Sequence, residues 1–293
     1  MTFRSKPNLL FRYLLTKISP KLSIRFFYWL CHHKLPDLKD PKTLDEKIQW
    51  MKLNYCGKDI VKQCADKYRV REYVKDCGLE HILNPLLNTY HHASEIQWDE
   101  LPEKFVLKWN YGCGGNVVCP DKSKLDIPAT IQDLNKFEKI KFHLIAAEQQ
   151  YDIEDKRILC EEFIQTQDGG TLVDYKFYCF NGEAKYVLCC FGRGQQERPD
   201  FYFFDRNWQL QRLNRQGKAA PEGFTLPKPE GIDQLFEYAE ILSKPFPFVR
   251  ADFYFEQGKA YFGELTFTPA GGFDRGRLPS TDLLFGQMVQ LPQ

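Results

Sequence analysis

Two carboxylates near the C-terminal end of the sequence carry the first chemical signal. In "FVRADFYFEQGKAYFGELTFTPAGG", residues 248–272, Asp252 and Glu264 lie in apolar, strand-like runs on either side of Gln257-Gly258. A charge in such a run is costly unless it is paired or holds a metal. Alternation puts Arg250, Asp252 and Tyr254 on one face, and Val249, Ala251, Phe253 and Phe255 on the other. The face taken by Glu264 depends on the turn. A two-residue loop sets Asp252 against Gly263 and sends Glu264 to the opposite face; a three-residue loop with Gly258 left-handed brings both acids together. Two carboxylates on one face repel unless a divalent cation sits between them, and Mg2+ takes carboxylates, phosphates and water. The competing reading is a surface Asp and a core Glu paired to Arg250.

A second candidate is "KFVLKWNYGCGGNVV", a strand with Lys108 near its end, running into Gly112, Gly114 and Gly115. Glycines let backbone N–H groups close over phosphates, and a nearby lysine neutralises them. The spacing matches neither phosphate-loop pattern, because position 117 is Val. Strand, glycine loop, strand describes a flexible flap and not a helix-terminus phosphate site, and by itself reads more readily as a plain turn. A third is "RILCEEFI", with adjacent Glu161 and Glu162, of which one should point inward and the other out. Beyond it, Asp174 and Lys176 share a face of "DYKFYCF", and Arg193 follows on the returning strand. Lys176 and Arg193 would make a cationic shelf for an anion; taken singly, each is equally a surface ion pair of little consequence.

Composition narrows the classes. Lys plus Arg number 40 against 39 Asp plus Glu, so there is no basic excess to suggest a nucleic-acid partner. Ten cysteines occur without a Cys-x-x-Cys, several in apolar runs, and no secretory signal is evident. The expectation is a reducing cytoplasm. Residues 1–36 differ from the rest, holding seven Lys or Arg and no acid before Asp37. Their longest uncharged apolar run, "FFYWLC", is far below the roughly 20 residues needed to span a bilayer. Such a basic, aromatic helical pair suits the inner face of an anionic membrane as a peripheral contact. The favoured expectation is that it packs on the main body, because Phe26, Phe27, Tyr28, Trp29 and Leu30 are too clustered to stay exposed.

The elements that must position these residues alternate between helix and strand pairs. Thr43 followed by Glu46 is a capping box that opens a helix. Residues 58–78 read as one helix ending at Gly78, and "HILNPLL" as a strand. A helical stretch is expected at roughly 130–150 and an amphipathic helix over 231–244. Hairpins are expected around Asn181-Gly182 and around residues 257–258. The pattern is α+β, without a doubly wound parallel sheet.

Taken in order, these stretches resemble the ATP-grasp superfamily, specifically its TupA-like branch linked to cell-surface polysaccharide synthesis. The resemblance rests on "ADKYRVREYV", "LPEKFVLKWNYGCGG", "RILCEEFI", "DYKFYCFNGE", "FVRADFYF" and "YFGELTFTPAGGF", from about residue 40 onward. It implies two α+β subdomains clasping ATP, with divisions at 1–42 (helical extension), 43–104, 105–165 (flap and hinge) and 166–293 (metal and acceptor site). By the same resemblance, Lys67 and Lys108 hold ATP phosphates beneath the flap formed by Gly112, Gly114, Gly115 and Asn116. Glu161, Glu162, Phe163 and Ile164 form the adenine hinge, and Asp174 takes the ribose. Asp252 and Glu264 ligate Mg2+, with Thr266 where many relatives have Asn. Lys176 and Arg193 grip the substrate carboxylate, and Arg250 joins them as a catalytic residue. The implied reaction is ADP-forming ligation of a small-molecule or saccharide carboxylate, such as a uronic acid, to an amine. Alternatives are an ATP-grasp kinase acting on a hydroxyl, or a glycosyltransferase, against which the absence of Asp-x-Asp counts.

Overall fold

The structure is a computed structural model that describes residues 6–167, 169–192 and 199–292. Two helices, α1 (Lys6–Ile18) and α2 (Pro20–His32), form an N-terminal hairpin whose turn is set by Ser19 capping the Leu22 amide. α3 (Leu44–Asn54) opens with both hydrogen bonds of the expected Thr43–Glu46 capping box. The stretch expected as one helix over 58–78 is instead two, α4 (Asp59–Ala65) and α5 (Val70–Asp76). Asp66 makes the break. Its carboxylate accepts from the Tyr68 and Arg69 amides at 2.8 and 3.2 Å and from Asn110 Nδ2 at 2.9 Å. A short acidic side chain thus competes with the helical backbone. The strand expected at residues 81–87 also shifts: a 3-10 turn occupies Glu80–Ile82, and β1 (Leu86–Tyr90) begins only after Pro85.

β1 joins β2 (Phe105–Trp109), β3 (Val117–Cys119) and β4 (Ile158–Glu162) in an antiparallel sheet of order β1-β4-β2-β3. Between β3 and β4 run α6 (Ile127–Glu138) and α7 (Phe142–Ile145). Leu134, Phe137 and Phe142 from these helices pack with Phe105, Leu107, Trp109 and Ile158 into one core. The second sheet contains β5 (Asp174–Phe180), β6 (Glu183–Phe191), β7 (Asp200–Phe204), β8 (Leu210–Gln211), β9 (Phe248–Glu256) and β10 (Lys259–Thr266), in the order β10-β9-β5-β6-β7-β8. α9 (Ile232–Ser243) packs on one face of it, with Phe236 edge-on to Phe177 at 4.8 Å. The short helix α8 (Arg215–Ala219) precedes α9, and α10 (Pro279–Met288) closes the chain against α3. Both expected hairpins form, with Asn181-Gly182 and Gln257-Gly258 as left-handed pairs, the geometry of a tight two-residue turn.

The last hairpin departs from both turn alternatives. Its loop has two residues, pairing Glu256 with Lys259, yet Glu264 lies opposite Asp252. A bulge makes the difference. Phe262 pairs with Phe253 and Glu264 with Asp252, leaving Gly263 as the extra residue. Val249, Ala251 and Phe253 face the core, so alternation puts Asp252 on the other face and the bulge brings Glu264 to that same face. Only glycine fits there, because an added Cβ would lie 2.8 Å from the Asp252 carbonyl oxygen. Gly263→Val should therefore lower unfolding stability by about 1–3 kcal/mol in urea titrations. It should also change the environments of Asp252 and Glu264, seen as carboxyl carbon shifts in NMR.

Candidate active site

Asp252 is the most heavily charged point of the second sheet. It is 3% exposed and accepts from Arg250 twice, Nε to Oδ1 and Nη2 to Oδ2, both at 2.7 Å. Lys176, its cross-strand partner on β5, donates to Oδ2 at 2.8 Å and lies 3.3 Å from Asp174. Burial alone would raise the Asp252 pKa, but Arg250 and Lys176 outweigh it and hold it below the ordinary carboxylate value. The side chain of Glu264 is 36% exposed and faces the cleft. It lies 3.6 Å from the same Arg250 nitrogen that touches Asp252 and 4.0 Å from Lys67 Nζ. Thr266 donates to Glu264 at 2.8 Å and accepts from Arg250 at 3.2 Å. Two carboxylates and a hydroxyl thus share one patch, a hard-oxygen set of the kind Mg2+ accepts. Among the described residues no group of three or more His, Cys, Asp or Glu side chains is placed to hold a metal, so phosphate and water oxygens would have to complete a shell.

Lys67 sits in the α4–α5 break, where its amide donates to the Asn110 carbonyl at 2.8 Å. Its ammonium donates to the Gly112 carbonyl at 2.8 Å. Burial lowers its pKa below the usual lysine value; Glu264 opposes the shift and Lys108 adds to it, so the two lysines act on one another. Lys108 bonds Glu161 at 2.6 Å, and Glu161 also approaches Arg71 at 3.8 Å and Asn84 at 3.4 Å. Glu161 is buried and Glu162 exposed, as alternation requires. Gly112, Gly114 and Gly115 are all left-handed. The loop rests on aromatic rings: a Cβ on Gly112 would come within 2.6 Å of Phe142, and one on Gly115 would run into Phe137. The expected free flap is therefore supported from beneath. Its glycine amides donate to no backbone carbonyl among the described residues.

Two cavities adjoin these groups. The smaller, about 230 Å3, is lined by Glu162 at the end of β4, by Phe163, Ile164 and Gln165 just after it, and by Lys259 and Tyr261 from the tip of the last hairpin. The larger, about 480 Å3, is lined by Lys176, Arg250 and Glu264, together with Arg215, Asp274 and Arg277. The last three were not evident from sequence. Arg277 is held by Asp45 at 3.0 Å and Asp282 at 3.1 Å. Arg215 is exposed and forms no ion pair among the described residues, and its amide bonds the Gly276 carbonyl at 3.0 Å. It opens the short helix α8, capped by Asn214, and the 214–277 bridge brings this helix start to the cavity. Lys176, expected to meet a substrate anion, is instead enclosed by two aspartates. Arg193, expected beside it, lies outside the described residues.

The turn after Glu264 shapes the larger cavity. Ala270, Gly271 and Gly272 are all left-handed, and Pro269 and Ala270 form part of the wall. α3 holds this strained backbone: Gln49 donates to the Gly271 and Gly272 carbonyls at 3.1 and 2.8 Å, and Lys52 also donates to Gly271. Burial pulls the Lys52 pKa down to about 8.

The two acids should differ under mutation. Asp252→Asn leaves Arg250 and Lys176 buried and short of charge, and should cost about 3–5 kcal/mol. Glu264→Gln, at a half-exposed position, should change stability by less than about 1 kcal/mol. A carboxylate with a depressed folded pKa stabilises above its unfolded pKa and loses that contribution as pH falls through the folded value. The Asp252→Asn deficit should thus be full near neutrality and shrink progressively as pH falls below the unfolded aspartate value of about 3.9, measured by urea unfolding across pH.

No curated protein sequence matches the chain. Among solved structures, D-alanine–D-alanine ligase from Bacillus anthracis, complexed with ATP, is similar at 12% identity and a TM-score of 0.48, covering 78% of this chain and 66% of that one. The ligase from Helicobacter pylori shows 16% identity and a TM-score of 0.46, covering 85% and 67%. This chain thus spans about two thirds of the length of those ligases. A family model described as TupA-like ATPgrasp matches residues 46–290, a span holding Lys67, Lys108, the glycine loop, Glu161, Lys176, Arg215, Arg250, Asp252, Glu264 and Arg277. The chain belongs to the TupA-like ATP-grasp family.

Proposed function

We propose that the protein is an ATP-dependent carboxylate–amine ligase working through an acyl phosphate. The observation that carries this reading is the bulged hairpin, which sets Glu264 beside Asp252 and faces it toward Lys67 and the glycine loop. Lys67 and Lys108 would neutralise ATP phosphates, with the amides of Gly112, Gly114 and Gly115 donating to their oxygens. Glu162 to Ile164 would line the adenine end, and Asp174 is assigned the ribose. Asp252 and Glu264 would hold Mg2+, steadied by Thr266, which supplies charge neutralisation on the transferring phosphoryl group. A substrate carboxylate oxygen takes the γ-phosphoryl group and ADP departs. The amine then attacks the acyl carbon, phosphate leaves, and the amine nitrogen loses a proton to solvent. The protein's contribution is positioning and electrostatic stabilisation.

For the acceptor carboxylate this reading favours a different cation. Lys176 is already matched by Asp174 and Asp252, and Arg277 by Asp45 and Asp282. Arg215 is the cavity cation without an ion-pair partner among the described residues, and a guanidinium can grip a carboxylate in bidentate fashion. Arg250 bridges the metal acids and the cavity. The substrate class proposed for the cavity is a saccharide acid, such as a uronic acid of a cell-surface polysaccharide, by analogy with the family branch.

A panel of uronic acids with ATP, Mg2+ and hydroxylamine should give hydroxamate and ADP when the right acid is present. Arg215→Ala should lose acid-dependent turnover at least tenfold more than ATP affinity, a difference of about 1.4 kcal/mol. Glu264→Gln should abolish turnover in a folded protein. A stable phosphorylated product with no hydroxamate from any acid would identify a kinase and end the ligase reading.

A further inference from the structure

The outer face of the α1–α2 hairpin plays no part in the cleft. Leu10, Leu14 and Ile18 recur every fourth residue on α1, and Leu22, Phe26 and Leu30 do so on α2. All are exposed, Ile18 at 76% and Leu10 at 60%. The opposite face is the one docked on the protein. Arg12 stacks on Phe27 at 3.8 Å and donates to the Ile145 carbonyl, while Tyr28 is fully buried. Each helix therefore has one face turned inward and an apolar stripe turned outward, the reverse of a surface helix in a soluble domain. Most of the exposed large hydrophobic side chains among the described residues lie on this hairpin. So large an apolar patch marks a docking surface.

Charge selects the occupant. Lys17, Lys21 and Arg25 are exposed beside the stripes, with Lys34 just beyond α2, and none forms an ion pair among the described residues. No acid precedes Asp37 to offset them. A second copy docked about a two-fold axis would bring the same cations together. An anionic lipid surface would complement them. Trp29, half-exposed among the stripe residues, is the residue type that settles at headgroup level. Among the described residues no helix is long and apolar enough to cross a membrane, which leaves the interfacial mode. We propose that the α1–α2 hairpin seats the protein on an anionic phospholipid surface, with its Leu, Ile and Phe stripes entering the acyl boundary. The inference does not depend on the reaction proposed above. The seat ends beside the larger cavity: Arg275 donates to the Leu30 carbonyl at 3.4 Å, while Asp274, Gly276 and Arg277 line that cavity.

The test is flotation of the full chain with vesicles of phosphatidylcholine alone, and of phosphatidylcholine mixed with phosphatidylglycerol. Binding should require phosphatidylglycerol and weaken with salt. Lys21→Ser and Arg25→Ser should each weaken it about fivefold, the value of one cation near such a surface. Ile18→Glu with Leu22→Glu should abolish it, while ATP binding and circular dichroism stay unchanged. Brominated lipid should quench tryptophan emission in the native protein and much less in Trp29→Phe. No flotation with anionic vesicles, or flotation unaffected by the Ile18 and Leu22 substitutions, overturns the proposal. So does sedimentation showing a dimer that those substitutions convert to a monomer, without vesicle binding.

Discussion

The structure turns on a buried carboxylate and the two cations that hold it. Asp252 sits in the interior of the second sheet, on a strand flanked on both sides, where a lone charge would be strongly disfavoured. Arg250 and Lys176 neutralise it, one from its own strand and one from the neighbouring strand. The arrangement dictates the register of β5 against β9, because a slip of one residue would turn Lys176 to the core face. It also explains why Arg250 reaches Glu264 and Thr266. Three side chains of β9 and β10 converge on the guanidinium, and the rim of the cleft is built around it.

Two separate cores meet at this cleft, and a lysine spans them. The smaller core supports the glycine loop through Phe137 and Phe142, whose rings lie 5.1 Å apart. The larger core supports the acids. Lys67 donates to the loop at Gly112 and lies within ion-pair reach of Glu264 on β10. Its position depends on Asp66, which interrupts the helix, and on Asn110, which binds the interruption to the end of β2. A continuous helix would carry Lys67 in a helical turn, without its amide bond to Asn110. The cost of a broken helix is offset by three hydrogen bonds to one carboxylate.

A second buried ionic cluster lies where the N-terminal helices meet the cavity wall, next to the Arg275 bond to the Leu30 carbonyl. Asp45 on α3 lies 3.3 Å from His32 at the end of α2 and 3.0 Å from Arg277, which also bonds Asp282 on α10. The hairpin is thus anchored to the wall at one end while its apolar stripes stay uncovered. Packing and exposure coexist because α2 has two apolar faces, while α1 packs inward through Arg12 and Thr16. Phe27 and Tyr28 satisfy one, and Phe26 and Trp29 remain on the other.

Much of this was legible from residue order. The capping box at Thr43, both hairpins, the α9 amphipathic helix and the inward face of β9 all follow from local pattern, whose physical basis is side-chain period and turn geometry. The ordered set of lysines, glycines and acids pointed to the family that the matching model assigns over residues 46–290. Local pattern could not place Glu264, because a bulge at Gly263 depends on how closely the backbone of β9 approaches, and that is a tertiary contact. Nor could it break the 58–78 helix, since Asp66 needs Asn110, 44 residues away, to complete its hydrogen bonds. Charge pairing was equally hidden. Lys176 looks available in sequence and is enclosed by two aspartates in the fold, whereas Arg215, which no motif singles out, lines the cavity without an ion-pair partner among the described residues. Sequence by itself determined which elements form and which chemical groups are present. Tertiary structure decided which charges neutralise one another and which face the cleft, because ion pairing acts through space between strands that the chain order leaves far apart.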